Sequence, residues 1–307
     1  MQDLAPLLRR LRRPSGRVDV VLDTDAYNEI DDQFAIAYLL RAGERAAIQA
    51  FYAAPFYNER SAGPAGGMER SYREILHLLR LAGREDLASV TLRGSERYLP
   101  DERTPVDSPA ARDLVRRAAA HTPEAPLYVL AIGAITNVAS ALLLDPSIAG
   151  SIVIVWLGGH ALHWPDTREF NMCQDVAAAR VVFGSGAALV QFPCMGVVDQ
   201  LRTTEPELIR WLRGRNALCD YLVDNTVAEA ERYAAGKPWS RVIWDISVVA
   251  WLLDESGSWM RDEVIPAPIP QYDHHYSFDP RRHPICCVRA IDRDAVFEDL
   301  FRRLAQS

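Results

Sequence analysis

The chain has almost no lysine. Lys237 is the only one among the 307 residues, so arginine supplies nearly all of the positive charge. Chemistry that depends on a lysine amine, such as a Schiff base or the lysine of a P-loop, therefore has a single candidate residue. Acidic residues outnumber basic ones by 41 to 34, which gives a formal net charge of −7. Because such a chain is poorly suited to capturing a phosphate backbone, we expect no nucleic-acid partner.

The sequence also lacks the marks of export and membrane insertion. No apolar run approaches the roughly 18 residues of a spanning helix, and the short apolar stretch at the N-terminus comes before its arginines, unlike a signal peptide. The five cysteines are odd in number, form no Cys-x-x-Cys pair and stand mostly in apolar runs. This pattern is typical of reduced core thiols. We therefore expect a cytoplasmic protein with no membrane partner.

The stretch Leu-Leu-Arg-Arg-Leu-Arg-Arg at residues 7–13 has two interpretations. It fits a short amphipathic helical turn packed on the domain, and it also fits a patch for a membrane surface or for nucleic acid. We expect the packed turn.

Short apolar runs alternate with helical patterns along the chain. The apolar runs occupy residues 18–22, 48–52, 127–131, 152–156, 188–192 and 285–288. Helical patterns lie at 33–41, 69–82, 110–120, 137–144 and 177–183. Consecutive apolar residues are typical of strands buried on both faces. The alternation predicts an α/β fold, one domain over residues 1–307 with an open, mostly parallel sheet flanked by helices, and a loop at the proline-rich segment 264–273.

Five carboxylates lie within ten residues directly after the first predicted strand, namely Asp23, Asp25, Glu29, Asp31 and Asp32. The carboxyl ends of parallel strands form the ligand crevice in such sheets. Carboxylates this close repel one another unless a cation or a hydroxyl-rich ligand holds them ionised. Oxygen ligands with no nearby His or Cys favour Ca²⁺ or Mg²⁺ over Zn²⁺. Helix capping is an alternative explanation for one or two of these acids.

A phosphatase is a competing interpretation of this segment. An Asp-x-Asp sequence after an apolar strand also begins the nucleophile motif of haloacid-dehalogenase phosphatases. The fifth position of that motif is usually Thr or Val, but here it is Tyr27. Because no basic cluster follows the ends of the predicted strands, the phosphatase is the weaker interpretation.

Three later segments carry further polar residues close to predicted strand ends. The first reads Gly133-Ala-Ile-Thr136-Asn137-Val-Ala. The second has Gly158-Gly159, then Glu169-Phe170-Asn171 ten residues on, then Asp175-x-Ala-Ala. The third is Trp244-Asp245. Taken alone, Thr136-Asn137 is equally consistent with the N-cap of a helix, and Asn171 with an ordinary loop residue.

Together with the acidic segment, these motifs resemble the nucleoside hydrolase family, the inosine-uridine preferring N-ribohydrolases and their relatives. The family has Gly-Pro-Leu-Thr-Asn-(Ile/Val)-Ala, Gly-Gly followed by Ala-Glu-Phe-Asn and Asp-Pro-x-Ala-Ala, and a late His-Asp pair. The four motifs occur in the same order here and span most of the chain, from residue 18 to about residue 250. The resemblance implies that family's fold, a homodimer or homotetramer, and hydrolysis of the N-glycosidic bond of ribonucleosides.

Carried over position by position, the resemblance implies a Ca²⁺ site. Its ligands would be Asp25, Asp32, Asp245 and the main-chain carbonyl of Thr136. Asp25 would also act as the general base that deprotonates the attacking water. The ribose hydroxyls of the substrate would be bound by Asp31, Glu169 and Asn171.

Three departures from the family pattern bear on the substrate. Five residues separate Asp25 from Asp31 where the family has three, so Asn28 is expected to reach the pocket. His160 follows the double glycine where the family commonly has Asn, and it is a candidate donor to the sugar or the base. Trp244 replaces the His that pyrimidine-accepting members tend to have, and an indole stacks on a purine but is no useful acid.

Two alternatives to a nucleoside hydrolase stay open at this point. One is a relative that binds nucleoside or ribose without catalysis, which Trp244 and the longer turn would permit. The other is a hydrolase of a different ribosyl compound, since the same diol-binding residues would serve it.

Overall fold

The structure is a computed structural model and describes residues 4–306. Its strands are β1 Val18–Thr24, β2 Ala46–Ala53, β3 Thr91–Arg93, β4 Leu127–Ala131, β5 Ile152–Leu157, β6 Ala188–Phe192, β7 Arg202–Thr203, β8 Arg241–Val242, β9 Met260–Pro266, β10 Ile269–Pro270, β11 Tyr276–Ser277 and β12 Pro284–Ile291. Its helices are α1 Ala5–Arg10, α2 Asp31–Leu40, α3 Pro64–Leu81, α4 Pro109–Ala118, α5 Thr136–Leu144, α6 Phe170–Gln174, α7 Val176–Gly184, α8 Glu205–Leu212, α9 Ala217–Ala234, α10 Ile246–Leu253 and α11 Arg293–Leu304.

Eight of these strands form the central sheet, in the order β3-β2-β1-β4-β5-β6-β12-β9. All neighbours in it are parallel except the last pair, in which β9 runs antiparallel to β12. The expected α/β fold with a mostly parallel sheet is confirmed. The single domain over residues 1–307 stays a prediction, and its first three residues and its last one lie outside the described residues.

The apolar runs form strands because helices cover both faces of the sheet. In β1, Val20 and Leu22 face one core and Val21 faces the other, as the alternation of side chains along a strand requires. The first core is closed by α2, α10 and α11, and the second by α4, α5 and α7. Nearly every residue of the central strands is therefore buried, and the runs show no polar alternation.

The predicted loop at residues 264–273 is wrong at two places. Residues 264–266 complete β9, and Ile269–Pro270 forms β10, which pairs with β11. Proline is tolerated here because β9 is an edge strand of the central sheet and because Pro266 is its last residue. Among the described residues, no helix is long and apolar enough to cross a membrane.

Parallel pairing brings four loops together at one edge of the sheet. The loops that follow β1, β4, β5 and β6 all leave from the carboxyl ends of adjacent strands. These loops contain the acidic segment, the Gly133 segment, the double glycine and the Cys194 segment. The fold therefore places three of the four sequence motifs side by side, whereas the fourth, Trp244-Asp245, directly precedes α10.

Candidate active site

The turn between β1 and α2 places the acidic residues. Asp25 follows the last residue of β1, and Asp31 and Asp32 form the first turn of α2, where free main-chain N–H groups favour negative charge. The hydroxyl of Thr24 donates a hydrogen bond of 2.5 Å to Oδ1 of Asp32. The N–H of Asn28 donates to the carbonyl of Asp25 at 2.7 Å and so fixes the course of the longer turn.

A cavity of about 220 Å³ opens at this edge of the sheet. Nine of the ten residues expected at the site line it, namely Asp25, Asn28, Asp31, Asp32, His160, Glu169, Asn171, Trp244 and Asp245. The lining also includes residues that the sequence did not single out as ligands, namely Glu29, Ile132, Leu157, Arg168, Phe170, Cys194 and Met195. Segments more than 200 residues apart in the chain therefore meet in one cavity.

Three aspartates form the tightest acidic group. Asp31, Asp32 and Asp245 each offer a carboxylate oxygen, and these oxygens lie within 4.8 Å of one another. Asp25 lines the same cavity, and all four residues are at most 3% exposed. Burial raises the pKa of each of the four well above its ordinary value, and the negative charge of the neighbouring carboxylates raises it further.

The acidic group fits a hard cation. Oδ2 of Asp25 and Oδ1 of Asp31 are buried and accept no hydrogen bond from any group in residues 4–306. Buried carboxylate oxygens without partners are costly, and a divalent cation among them would remove both the missing contacts and the mutual repulsion. The donor set consists of oxygen atoms, which favours Ca²⁺ or Mg²⁺.

Thr136 is the one expected site residue outside the cavity lining. It is the first residue of α5, and its hydroxyl donates to Oδ2 of Asp175 at 2.7 Å. Asp175 also accepts hydrogen bonds from the N–H of Leu99 at 2.9 Å and from the N–H of Ala178 at 2.9 Å. The side chain of Thr136 thus ties α5 to the start of α7, and the role of its carbonyl as a metal ligand stays a prediction.

Glu169 organises the loop that follows β5. Its carboxylate accepts hydrogen bonds from the N–H groups of Gly159 at 2.8 Å, Asn171 at 2.7 Å and Met172 at 2.9 Å. It therefore caps α6 and closes the double-glycine loop onto that helix. Burial raises the pKa of Glu169 to about 7, against the opposing effect of these three donors.

Asn171 is oriented by main-chain carbonyls. Its Nδ2 donates to the carbonyl of Leu157, the last residue of β5, at 3.0 Å and to that of Ile132, the residue after β4, at 3.3 Å. Both protons of the amide are thereby used, so Oδ1 is the atom left for a ligand hydroxyl.

His160 lines the cavity and accepts a hydrogen bond from the main chain there. Its Nδ1 accepts a hydrogen bond from the N–H of Met195 at 3.3 Å, so the neutral ring carries its proton on Nε2. Burial lowers the pKa of His160, which favours that neutral form. The preceding Gly159 has φ +75°, and a Cβ there would lie 2.3 Å from the hydroxyl of Tyr276, so only glycine fits.

The longer turn is held by partners of its own. Oδ1 of Asn28 accepts a hydrogen bond of 2.7 Å from Asn58, and Glu29 pairs with Arg241. Nη2 of Arg241 also lies 3.9 Å from Oδ1 of Asp31. The extra residues of the turn thus bring a guanidinium to the rim of the acidic group.

The sequence did not reveal the contacts that support the site. Nδ2 of Asn137 donates to Oδ1 of Asp23 at 2.7 Å, and its Oδ1 accepts from the N–H of Ser95 at 2.7 Å. Arg168 stands where the family motif Ala-Glu-Phe-Asn has Ala, and this difference was the one sign in the sequence that Arg168 could matter at the site. Arg241 gave no local signal, because its partner Glu29 is 212 residues away.

A parallel α/β sheet with a carboxylate-lined cavity at the carboxyl ends of its strands defines a class of small-molecule site. The chain belongs to the inosine-uridine preferring nucleoside hydrolase family, whose model matches residues 20–298. It is 32% identical over 171 residues to "Probable uridine nucleosidase 1" of Oryza sativa subsp. japonica, covering 53% of this chain and 48% of that relative. The chain spans about half the length of the curated relatives it matches.

Solved structures share the fold over nearly the whole chain. A plant nucleoside hydrolase, PpNRh1, superposes with a TM-score of 0.72 at 22% identity and covers 94% of this chain and 99% of its own. The type III effector protein XopQ, solved with adenosine diphosphate ribose, superposes with a TM-score of 0.67 at 17% identity and covers 99% of both chains.

Proposed function

We propose that this protein hydrolyses the N-glycosidic bond of ribonucleosides, with Ca²⁺ as cofactor and Asp25 as general base. The observation that carries the proposal is the group of four buried aspartates around one cavity, in a chain of the nucleoside hydrolase family. The proposal includes a cytoplasmic homodimer or homotetramer. All five cysteines of the chain are free thiols in the structure, which is consistent with a reducing compartment.

Asp25, Asp32, Asp245 and the main-chain carbonyl of Thr136 would hold the cation. A hard divalent cation supplies Lewis-acid chemistry in such a site, because it binds vicinal hydroxyls and makes water more acidic. The unpartnered Oδ2 of Asp25 is the atom on this chain best placed to accept a proton from the attacking water. Burial and then the charges of the neighbouring carboxylates raise the pKa of Asp25, which makes its carboxylate a stronger base.

The ribose would be recognised from two sides of the cavity. Asp31 lies on the α2 side, and Glu169 and Asn171 lie on the α6 side. Carboxylates on both sides favour the positive charge that develops on the sugar as the bond to the base breaks. Hydrogen bonds to the ribose hydroxyls would hold C1′ in position relative to Asp25.

His160 and Trp244 would serve the departing nucleobase. Nε2–H of His160 is the neutral donor at the cavity, and Trp244 is partly buried there next to Asp245. An indole provides a stacking surface, which suits the larger ring system of a purine. We therefore propose a preference for purine nucleosides.

Release of ribose from a panel of nucleosides tests the proposal. The purified protein is incubated with adenosine, inosine, guanosine, uridine and cytidine, with Ca²⁺ and again after chelation, and reducing sugar is measured. Ribose release that requires the metal and is fastest with purines is the expected result. No release from any nucleoside, together with calorimetric binding of ribose, would establish a non-catalytic binder instead.

A ribosyl compound that carries phosphate is a second candidate substrate, which Arg168 favours. Its guanidinium is exposed at the cavity and makes no ion pair with residues 4–306. Guanidinium groups bind phosphate through paired hydrogen bonds. If Arg168 holds a phosphate, Arg168→Ala lowers the ratio of the affinities for ADP-ribose and adenosine about tenfold. An unchanged ratio would remove this candidate.

A further inference from the structure

An arginine-rich segment stands near the start of an otherwise acidic chain. Residues 9–17 read Arg-Arg-Leu-Arg-Arg-Pro-Ser-Gly-Arg, whereas the whole chain carries a net charge of −7. The first two of these residues end α1, and the rest lead into β1. Arginines at such a position either fasten the segment to the domain or attract an anion. The contacts of each arginine distinguish the two roles.

Two of the five arginines fasten the segment. Nη1 of Arg10 donates to the main-chain carbonyls of Ala149 at 3.0 Å and Gly150 at 2.5 Å. Nη1 of Arg13 lies 2.8 Å from the carboxylate of Asp262, and its Nη2 donates to the carbonyl of Met260 at 3.1 Å. Protein partners therefore account for Arg10 and Arg13.

For the other three arginines, the described part of the chain offers no such partners. Arg9, Arg12 and Arg17 are exposed, and none of them forms an ion pair with any residue in the 4–306 range. All three line one concave cavity of about 580 Å³, whose other walls come from Arg10 and from the segments 13–19 and 121–128. The positive potential of this cavity is thus not neutralised by carboxylates bound to these three side chains.

Neither carboxylate of the cavity, Asp19 or Glu124, forms an ion pair with Arg9, Arg12 or Arg17 within residues 4–306. Oδ2 of Asp19 lies 3.1 Å from Nε2 of His121, and its Oδ1 accepts a hydrogen bond of 2.8 Å from Gln49. Burial lowers the pKa of the Arg10 guanidinium, and the negative charge of Glu124 partly opposes this effect by raising it. Neither carboxylate therefore neutralises the guanidinium groups of Arg9, Arg12 and Arg17 through an ion pair within residues 4–306.

The cavity lies at the opposite end of the sheet from the acidic site. Its lining includes Val18 and Tyr128, which stand at the amino ends of β1 and β4, whereas Asp25 follows the carboxyl end of β1. Seven strand residues separate the two ends, which corresponds to about 20 Å. A ligand in this cavity is consequently separate from the ribosyl substrate.

We propose that this cavity binds the clustered phosphates of a small ligand, such as a nucleoside diphosphate. The planar guanidinium is always charged and matches phosphate oxygens in pairs, and three of them around one concavity suit a group with more than one phosphate. The phosphorylated headgroup of a lipid presents the same chemistry. Leu4 and Leu8 are exposed near these arginines along the chain, so a lipid is the second source to distinguish.

Calorimetric titration with pyrophosphate and with ADP tests the proposal without any nucleoside hydrolysis. We expect binding that weakens with added salt and that is reduced about tenfold or more in the triple variant Arg9→Ala, Arg12→Ala, Arg17→Ala. The matched control is the triple variant Arg103→Ala, Arg210→Ala, Arg261→Ala. It removes the same charge from exposed arginines outside the cavity, none of which is ion-paired within residues 4–306. Thermal melting checks that both variants are folded.

Binding to lipid vesicles distinguishes a phosphorylated lipid headgroup from a soluble phosphate compound as the ligand. Binding to phosphatidylcholine vesicles that contain a phosphatidylinositol phosphate, lost only in the first triple variant and displaced by pyrophosphate, supports the site with a lipid as its ligand. Binding of pyrophosphate or ADP without vesicle binding supports a soluble ligand. Equal losses in both triple variants, or no binding of either probe, would overturn the proposal, as would binding of duplex DNA without binding of pyrophosphate.

Discussion

Gly133 lies directly against the carboxylate of Asp25. A Cβ at position 133 would be 3.0 Å from Oδ1 of Asp25 and 3.1 Å from its Cγ. The glycine follows β4, and its carbonyl accepts a hydrogen bond from the indole of Trp156, which holds the main chain in place. Because Gly133 has no side chain, the Asp25 carboxylate can lie directly against the main chain at this position.

Gly133→Ala is expected to lower turnover about tenfold or more while the protein stays folded. The added methyl group would displace the Asp25 carboxylate by a few tenths of an ångström from the metal and the attacking water. The matched control is Gly43→Ala, where a Cβ would have no atom within 4 Å. Steady-state ribose release from the best nucleoside measures both variants. Equal turnover in the two would show that the position of Asp25 is not critical.

Asp245→Asn is expected to raise the stability of the metal-free protein and to reduce the stabilisation that the metal gives. Without metal, the change removes a buried negative charge that lies beside Asp31 and Asp32, so the melting temperature should rise. With Ca²⁺, the wild type should gain stability because the ion binds only the folded state, and the variant should gain less. Differential scanning fluorimetry gives the melting temperatures of the wild type and the variant, each with Ca²⁺ and with chelator. A variant that is destabilised equally in both conditions would contradict a metal-binding role.

The metal-free protein should lose stability as pH rises. Burial raises the pKa values of Asp23 and Asp31 from 3.8 to about 7 in the folded protein. The folded state therefore binds more protons than the unfolded state between about pH 4 and pH 7, and stability falls as pH rises through that window. Melting curves from pH 5 to pH 8 in chelator should show this fall, and saturating Ca²⁺ should flatten it. A metal-free stability that rises across this range would contradict the account.

His160→Ala is expected to lower turnover at least about tenfold, because it removes the Nε2–H donor of a residue that lines the cavity. His163→Ala is the control, since His163 is exposed three residues further on and does not line the cavity. Kinetics with purine and pyrimidine nucleosides would separate a role toward the base from one toward the sugar. A loss that is the same for every base indicates a sugar contact, and unchanged turnover with the best substrate would exclude both roles.

The sequence predicted those parts of the fold and site that depend on local pattern. The strands at 127–131 and 188–192 match β4 and β6 at both ends, because continuous apolar runs are a local property of strands covered on both faces. The acidic residues after β1 were also visible, since they stand together in the chain. Their common cavity followed from the rule for parallel sheets.

What the sequence did not predict depends on partners that are distant in the chain. Edge strand β9 is charged and mostly exposed, so it lacks the apolar run that marks the central strands. The pairing of Glu29 with Arg241 joins a turn to a two-residue strand 212 residues later. The division of the arginines at 9–17 into anchored and free ones likewise depends on carbonyls and carboxylates that only the folded chain brings near.

Ribose release by Asp25→Asn tests the central claim most directly. The variant keeps the size of the side chain but removes its charge and its basicity, and Glu298→Gln serves as a control at an exposed carboxylate away from the cavity. With Ca²⁺ and the best nucleoside, we expect the Asp25 variant to lose at least about a hundredfold in turnover and the control to keep the wild-type rate. Wild-type turnover in the Asp25 variant would contradict the assignment of Asp25 as the general base.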